Sequence, residues 1–181
     1  MDYRRGKDQG GKRRGDCVFE TYIQRLRAGD MSVRVELAEG YPGKALVAQI
    51  CSVDEPSFPP DLFAQQLKHQ ISLFGCYAYD GNELVGYKLG FEPRPRYFES
   101  FMGAVRPDRR REGIAARLME VQHHWCKEQG YRFITTITAA SNNAMIILNL
   151  KAGFVIAGTL LDRGNNHKVM LQKDLEQRGG T

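Results

Sequence analysis

The stretch Val105-Arg106-Pro107-Asp108-Arg109-Arg110-Arg111-Glu112-Gly113-Ile114-Ala115 decides how this chain is read. Before it, residues 97–105 have the composition of a strand. After it, Ile114, Leu118, Val121 and Trp125 fall at i, i+4, i+7 and i+11, the spacing of one helix face, and Gly130 closes the run. A strand therefore enters an arginine-rich turn, and the turn enters an amphipathic helix. The first N–H groups of a helix have no internal partners, and the helix dipole favours negative charge there. Gly113 and Ala115 carry little or no side chain, so an anion can approach the main chain closely. Such a turn suits a pyrophosphate. Arg106, Arg109, Arg110 and Arg111 add Coulombic attraction, each worth about 1 kcal/mol or less where exposed.

Working outward, Val18, Tyr22, Ile23 and Leu26 predict a short helix, and Val33, Val35 and Leu37 alternate as a first strand. Residues 42–51 and 61–71 predict two helices separated by Ser57-Phe58-Pro59-Pro60. The period then changes to two. Residues 72–79 and 83–91 read as strands around the turn Asp80-Gly81-Asn82. Beyond the amphipathic helix, residues 131–138 are rich in β-branched and aromatic side chains and read as a buried strand. Ser141 or Asn142 can cap a helix that ends at Gly153, and residues 154–160 and 168–172 predict two last strands. The order is helices early, an antiparallel meander, then β-α-β-α-β-β: a single mixed α/β domain about a central sheet.

Composition narrows the rest. The chain has 181 residues, 42% hydrophobic and 26% charged, which is long enough for one domain with a substantial core. No run approaches the ~18 apolar residues of a membrane span, and no apolar segment of a secretory signal follows the basic start. Four scattered cysteines (Cys17, Cys51, Cys76, Cys126) without C-x-x-C spacing fit reduced thiols and a cytoplasmic location. Residues 1–16 read as a flexible basic leader with a net charge of +3 out of the chain's +5, leaving 17–181 as the domain. Gly6-x-x-x-x-Gly11-Lys12 matches the start of a P-loop, but Arg13 stands where a hydroxyl must hold magnesium and no strand precedes it. Nor do aromatics interleave the arginines, so no nucleic-acid partner is expected. No His, Cys, Asp or Glu spacing resembles a metal site.

The spacing Val105-x-Pro107-x-x-Arg110-x-x-Gly113-Ile114-Ala115 resembles motif A of the GNAT superfamily of acetyl-CoA-dependent acyltransferases, whose pattern Gln/Arg-x-x-Gly-x-Gly/Ala is met by Arg110, Gly113 and Ala115. A second block, Asn142-x(5)-Leu148-x-x-Lys151-x-Gly153-Phe154, is similar to the family's last helix. The resemblance extends over about 33–174 and is strongest over 97–154. It implies a mixed sheet splayed between its fourth and fifth strands and flanked by helices. It also implies acetyl-CoA as co-substrate, with the main chain of Gly103, Ala104 and Val105 along the pantetheine arm. The pyrophosphate would lie on the amides of Arg111, Glu112, Gly113, Ile114, Ala115 and Ala116, with Arg110 beside it and Asn142 at the last helix. The reaction implied is acetyl transfer to a primary amine, on a small molecule or a peptide, by direct attack. The late strands leave a homodimer open.

Two positions carry the catalytic expectations. Many members use a tyrosine on the last helix to protonate the departing thiolate, and Asn149 stands there. An amide has no titratable proton but can donate a hydrogen bond to sulfur. A lysine-like amine with pKa ~10.4 must also lose a proton, which costs about 4–5 kcal/mol at neutral pH. Glu99, eleven residues before Arg110, resembles the glutamate base of histone-acetylating members at that offset. A solvated or ion-paired carboxylate near Arg96 is the alternative reading of Glu99. Strict alternation puts Glu99, Phe101, Gly103 and Val105 on one face of the strand. Because the tyrosine is missing, a second function stays open: a non-catalytic acyl-CoA-binding module that keeps the phosphate turn.

Overall fold

The computed structural model describes residues 33–53, 60–67, 70 and 72–176. The basic leader and the helix expected at 18–26 lie outside these residues. So do Cys17, Asp54-Glu55, Phe58 and His69. In chain order the elements are β1 (Val33–Glu39), α1 (Lys44–Val53), α2 (Pro60–Leu67), β2 (Phe74–Asp80), β3 (Glu83–Arg94) and β4 (Tyr97–Val105). A single 3-10 turn (Pro107–Arg109) leads to α3 (Ile114–Glu128), β5 (Phe133–Ala139), α4 (Asn143–Lys151), β6 (Val155–Leu161) and β7 (His167–Asp174). The strands form one sheet in the order β1-β2-β3-β4-β5-β7-β6. Every neighbouring pair is antiparallel except β4 and β5. The expected mixed α/β architecture is the one observed.

Strands β4, β5 and β6 all run the same way, so right-handed crossovers put α3 and α4 on the same face of the sheet. That face holds one hydrophobic cluster, built from Phe74, Cys76, Phe98, Ile114, Leu118, Met119, Ile134 and Leu171, among others. The opposite face is covered by α1 and α2 and holds a second cluster around Ile50, Phe63, Leu67, Tyr77, Tyr87 and Leu89. Phe98 anchors the first cluster. Its ring packs edge-on to Phe74 and Trp125 and tilts against Tyr131, with centroids 5.4–6.3 Å away. Phe74 and Trp125 themselves stack at 3.7 Å.

The regular alternation expected along β4 fails at one residue. Leu89 pairs with Met102 but Gly90 pairs with Ser100, so Phe101 is an extra residue, a β-bulge. Before it, Phe98 faces α3 while Glu99, opposite Phe91, faces the α1/α2 side. After it, Phe101, Met102 and Ala104 pack on the α1/α2 cluster, and Val105 packs on the α3 cluster. Glu99 and Val105 therefore lie on opposite faces, contrary to strict alternation. One inserted residue reverses the side of everything that follows it.

The bulge coincides with the parting of β4 from β5. These strands pair at Tyr97–Phe133, Phe98–Ile134 and Glu99–Thr135 and no further. The Thr136 hydroxyl then donates to the Ser100 carbonyl at 2.9 Å, closing the vertex. Beyond that point β4 runs on to Val105 with no strand on its β5 side among the described residues.

Phe98 is fully buried and stands at this vertex. Phe98→Ala should therefore destabilise the protein by about 3–5 kcal/mol. Denaturant unfolding of the variant against the wild type measures this.

Candidate active site

The open edge of β4 presents a defined set of main-chain groups. Arg106 N–H donates to the Val85 carbonyl at 3.0 Å. Along an antiparallel strand alternate residues bond the same neighbour, so Ala104 also pairs with β3. Gly103 and Val105 consequently turn their N–H and C=O groups toward the gap left by β5. Gly103 is the exposed residue of β4. A Cβ there would lie 3.1 Å from the Tyr87 carbonyl and 3.4 Å from Lys88 Cγ, so a larger residue would crowd β3.

At the end of this edge the chain enters the turn read from the sequence. Arg111 and Gly113 both take positive φ (68° and 83°), which turns the backbone into the start of α3. Gly113 is the N-cap and has no side-chain cap. The first intrahelical bond from this end is Arg117 N–H to the Gly113 carbonyl at 3.0 Å. The N–H groups of Ile114, Ala115 and Ala116 precede it and are left for another acceptor. No side chain stands at Gly113, where a Cβ would meet nothing within 4 Å.

The four arginines divide into two pairs. Arg109 bridges Asp80 at 2.5 Å and Glu112 at 2.9 Å. Arg106 bridges Glu83 and holds Asp108 through two hydrogen bonds of 2.7 and 3.0 Å. These contacts hold Asp108 below the usual carboxylate range, mainly through the Arg106 hydrogen bond. They also tie the turn to the β2–β3 hairpin. Arg110 and Arg111 have no carboxylate partner among the described residues. Arg110 Nε instead donates to the Val105 carbonyl at 3.2 Å, beside the open edge.

The remaining expected residues sit around the gap. Glu99 is half-buried where β4 and β5 part, and burial raises its carboxyl pKa above the ordinary value. Asn142 is the N-cap of α4 and accepts from the Met145 N–H at 3.2 Å, a helix-capping role. Asn149 is buried on α4, and one of its two amide hydrogens goes to the Met145 carbonyl at 2.8 Å. Tyr131, just before β5, donates to Glu92 at 3.3 Å. Cys76 and Cys126 are buried free thiols and Cys51 is partly buried. The described residues contain no cluster of three or more His, Cys, Asp or Glu that could hold a metal, and no helix long and apolar enough to cross a membrane.

Sequence reading missed a buried polar group on the α3 face. Gln122 is fully buried with both amide atoms unpartnered, and the Ser100 hydroxyl and His123 Nε2 are unpartnered too. His123 is buried, while His124 is exposed and pairs with Glu128. Lys173 on β7 bonds His123 Nδ1 at 3.2 Å and the Ala152 carbonyl at 2.7 Å. Lys88 belongs to the same region. Its signal was a lysine within the otherwise apolar run Leu84-Val85-Gly86-Tyr87-Lys88-Leu89.

Burial, then the charges of Lys173 and Lys88, lower the His123 pKa from 6.5 to about 3. Between those two values the unfolded chain binds a proton that the folded one does not, so stability falls as pH falls across that window. His123→Phe should flatten the loss of stability between pH 6.5 and about 3, as measured by chemical denaturation at a series of pH values.

The chain matches the acetyltransferase (GNAT) family over residues 41–154. A search of curated protein sequences finds no match. Among solved structures, the ribosomal-protein-S18-alanine N-acetyltransferase of Escherichia coli is similar with a TM-score of 0.65 and 17% identity, covering 80% of this chain and 97% of that one. A Bacillus subtilis acetyltransferase in complex with CoA gives a TM-score of 0.61 and 21% identity, covering 78% of this chain and 98% of the other. The aminoglycoside 6'-N-acetyltransferase of Enterococcus faecium gives 0.63 and 15%, covering 80% and 99%. At such identities the structures establish a shared fold, and the family match extends over more than half of the sequence. The split strand, the uncapped helix start and the motif between them have a common explanation: the chain belongs to the GNAT acetyltransferase family.

Proposed function

We propose that this protein is an N-acetyltransferase that moves an acetyl group from acetyl-CoA to a primary amine by direct attack. One observation carries the reading: the open edge of β4, at Gly103 and the Val105 N–H, leads straight to the uncapped amides of Ile114, Ala115 and Ala116. A pantetheine arm needs main-chain donors and acceptors along its length, and a pyrophosphate needs unpartnered N–H groups at its end. The two are continuous here. Gly113 leaves the phosphate free access, and Arg110 and Arg111 supply charge not already neutralised by carboxylates. The amides of Arg111, Glu112 and Gly113 complete the turn, while Ala104 holds β4 against β3 and Asn142 fixes the start of α4.

The acceptor amine must give up a proton. Glu99 supports that step because it stands at the vertex of the gap and burial makes its carboxylate more basic. It would take the proton directly or through a water, while strand-edge N–H groups polarise the thioester carbonyl. Asn149 would turn its second amide hydrogen to the sulfur. The acceptor class rests on analogy. Structures sharing this fold include an enzyme named for a protein alanine and one named for aminoglycosides, so the fold alone does not select between them. A non-catalytic acyl-CoA-binding module remains the second reading, favoured by the commitment of Asn149 to the Met145 carbonyl.

Two measurements test these assignments. Calorimetry should show acetyl-CoA binding, weakened about tenfold or more in Gly113→Val, which forces a β-branched side chain to positive φ at the phosphate turn. No heat with the wild type removes both readings. Thiol release with a panel of amines separates enzyme from module. With an active acceptor, Glu99→Gln should lower kcat/KM about a hundredfold and lose the rise in rate with pH that marks deprotonation of the carboxyl. An unchanged rate and pH profile would exclude Glu99 as the base.

A further inference from the structure

Lys88 is a buried cation that neither the fold nor the proposed transfer to an external amine explains. It lies in the middle of β3 and is only 8% exposed. Among the described residues no hydrogen bond or ion pair holds its ammonium group. Its electrostatic neighbours are the Cys76 thiol on β2, the Cys126 thiol and His123 on α3, with Lys173 of β7 behind His123. None is a carboxylate. Burial lowers its pKa from 10.5 to about 8, so about a tenth of the side chain is a free amine at pH 7, far more than for an exposed lysine.

Its position matters more than its titration. Lys88 pairs with Gly103 across β3 and β4. Directly paired residues share a face, so the lysine stem lies beside the exposed glycine whose N–H and C=O open to the gap. A Cβ on Gly103 would meet Lys88 Cγ at 3.4 Å, so the stem leans toward β4, and three further bonds carry the amine beyond that atom. On the same face, Ser100 and Gln122 offer unpartnered polar atoms that an amide can use.

We propose that Lys88 is a self-acylation site, whose amine takes the acetyl group from the thioester lying along Gly103 and Val105 when no external acceptor is bound. The proposal rests on the acetyl-CoA reading above. The free Nζ attacks the thioester carbonyl, the new C–N bond forms as the C–S bond breaks, and CoA leaves as the thiolate. The surplus amine proton passes to the thiolate. The product replaces an uncompensated buried ammonium with a neutral amide, removing the desolvation penalty and supplying a carbonyl to Gln122 or Ser100. Acetylation would thereby record exposure of the protein to acetyl-CoA without acceptor.

The test uses the full-length protein and acetyl-CoA alone, followed by intact mass and peptide mapping over a range of pH. The expected result is one added acetyl group on Lys88, formed at least about tenfold faster than on exposed Lys127 or Lys151. Its rate should rise with pH to a plateau above about pH 8, free CoA should protect, and Lys88→Arg should lack the label. Absence of label, or label spread over surface lysines at similar rates, overturns the proposal. The wild-type experiment decides this even if the arginine variant fails to fold. Calorimetric binding of acetyl-CoA without labelling refutes self-acylation alone, whereas no binding refutes the cofactor reading together with it.

Discussion

A strand in the middle of a sheet normally satisfies its main chain on both sides, and β4 does so only for its first residues. After Glu99 its β3 side remains paired while its β5 side opens. Buried peptide groups without partners are costly, so this arrangement requires another source of hydrogen bonds or an exposed edge. The protein meets the requirement locally. Thr136 satisfies the Ser100 carbonyl at the vertex, Arg110 reaches the Val105 carbonyl near the far end, and Gly103 between them is exposed. The bulge at Phe101 reverses the faces just where the partner strand departs. Glu99 is thereby left toward the α1/α2 side while Lys88, Ser100 and Val105 lie toward α3.

Charge at the turn between β4 and α3 is less available than its arginine content indicates. Arg106 and Arg109 are held by carboxylates from the turn itself and from the β2–β3 hairpin. Exposed pairs of this kind add little stability individually. Their effect is geometric: they fix the turn that aims the start of α3. Four arginines in six residues resemble an electrostatic surface in the sequence, and in the fold half of them are structural.

The sequence made the element order, the strand-turn-helix unit and the uncapped start of α3 legible because each depends on local signals: period, glycine placement and cap chemistry. Helix α1 begins at Lys44 and ends at Val53, and β3 runs past Phe91 to Arg94, shifts at element ends where local preference is weak. The bulge was not legible. Nothing in Glu99-Ser100-Phe101-Met102 announces an inserted residue, since the register is set by pairing to Leu89 and Gly90 across the sheet. Burial of Gln122 and His123 was hidden for a related reason. Helical spacing places them beside the apolar face, but the groups that meet His123, the Phe154 ring and Lys173, come from far along the chain. Lys88 was visible as a charged residue within an apolar strand, and only the opposing Gly103 gives that placement meaning.

Lys173 joins three distant parts of the chain: it bonds the carbonyl that ends α4 at Ala152 and the imidazole of His123 on α3, from its own place on β7. The glycine after that carbonyl has φ 87°, and a Cβ there would lie 3.7 Å from the same lysine amine. Positions 123, 153 and 173 therefore form one unit of inheritance in this fold. A histidine lost from α3 leaves a half-buried cation with one fewer acceptor, and a lysine lost from β7 leaves both the helix end and the imidazole without that donor.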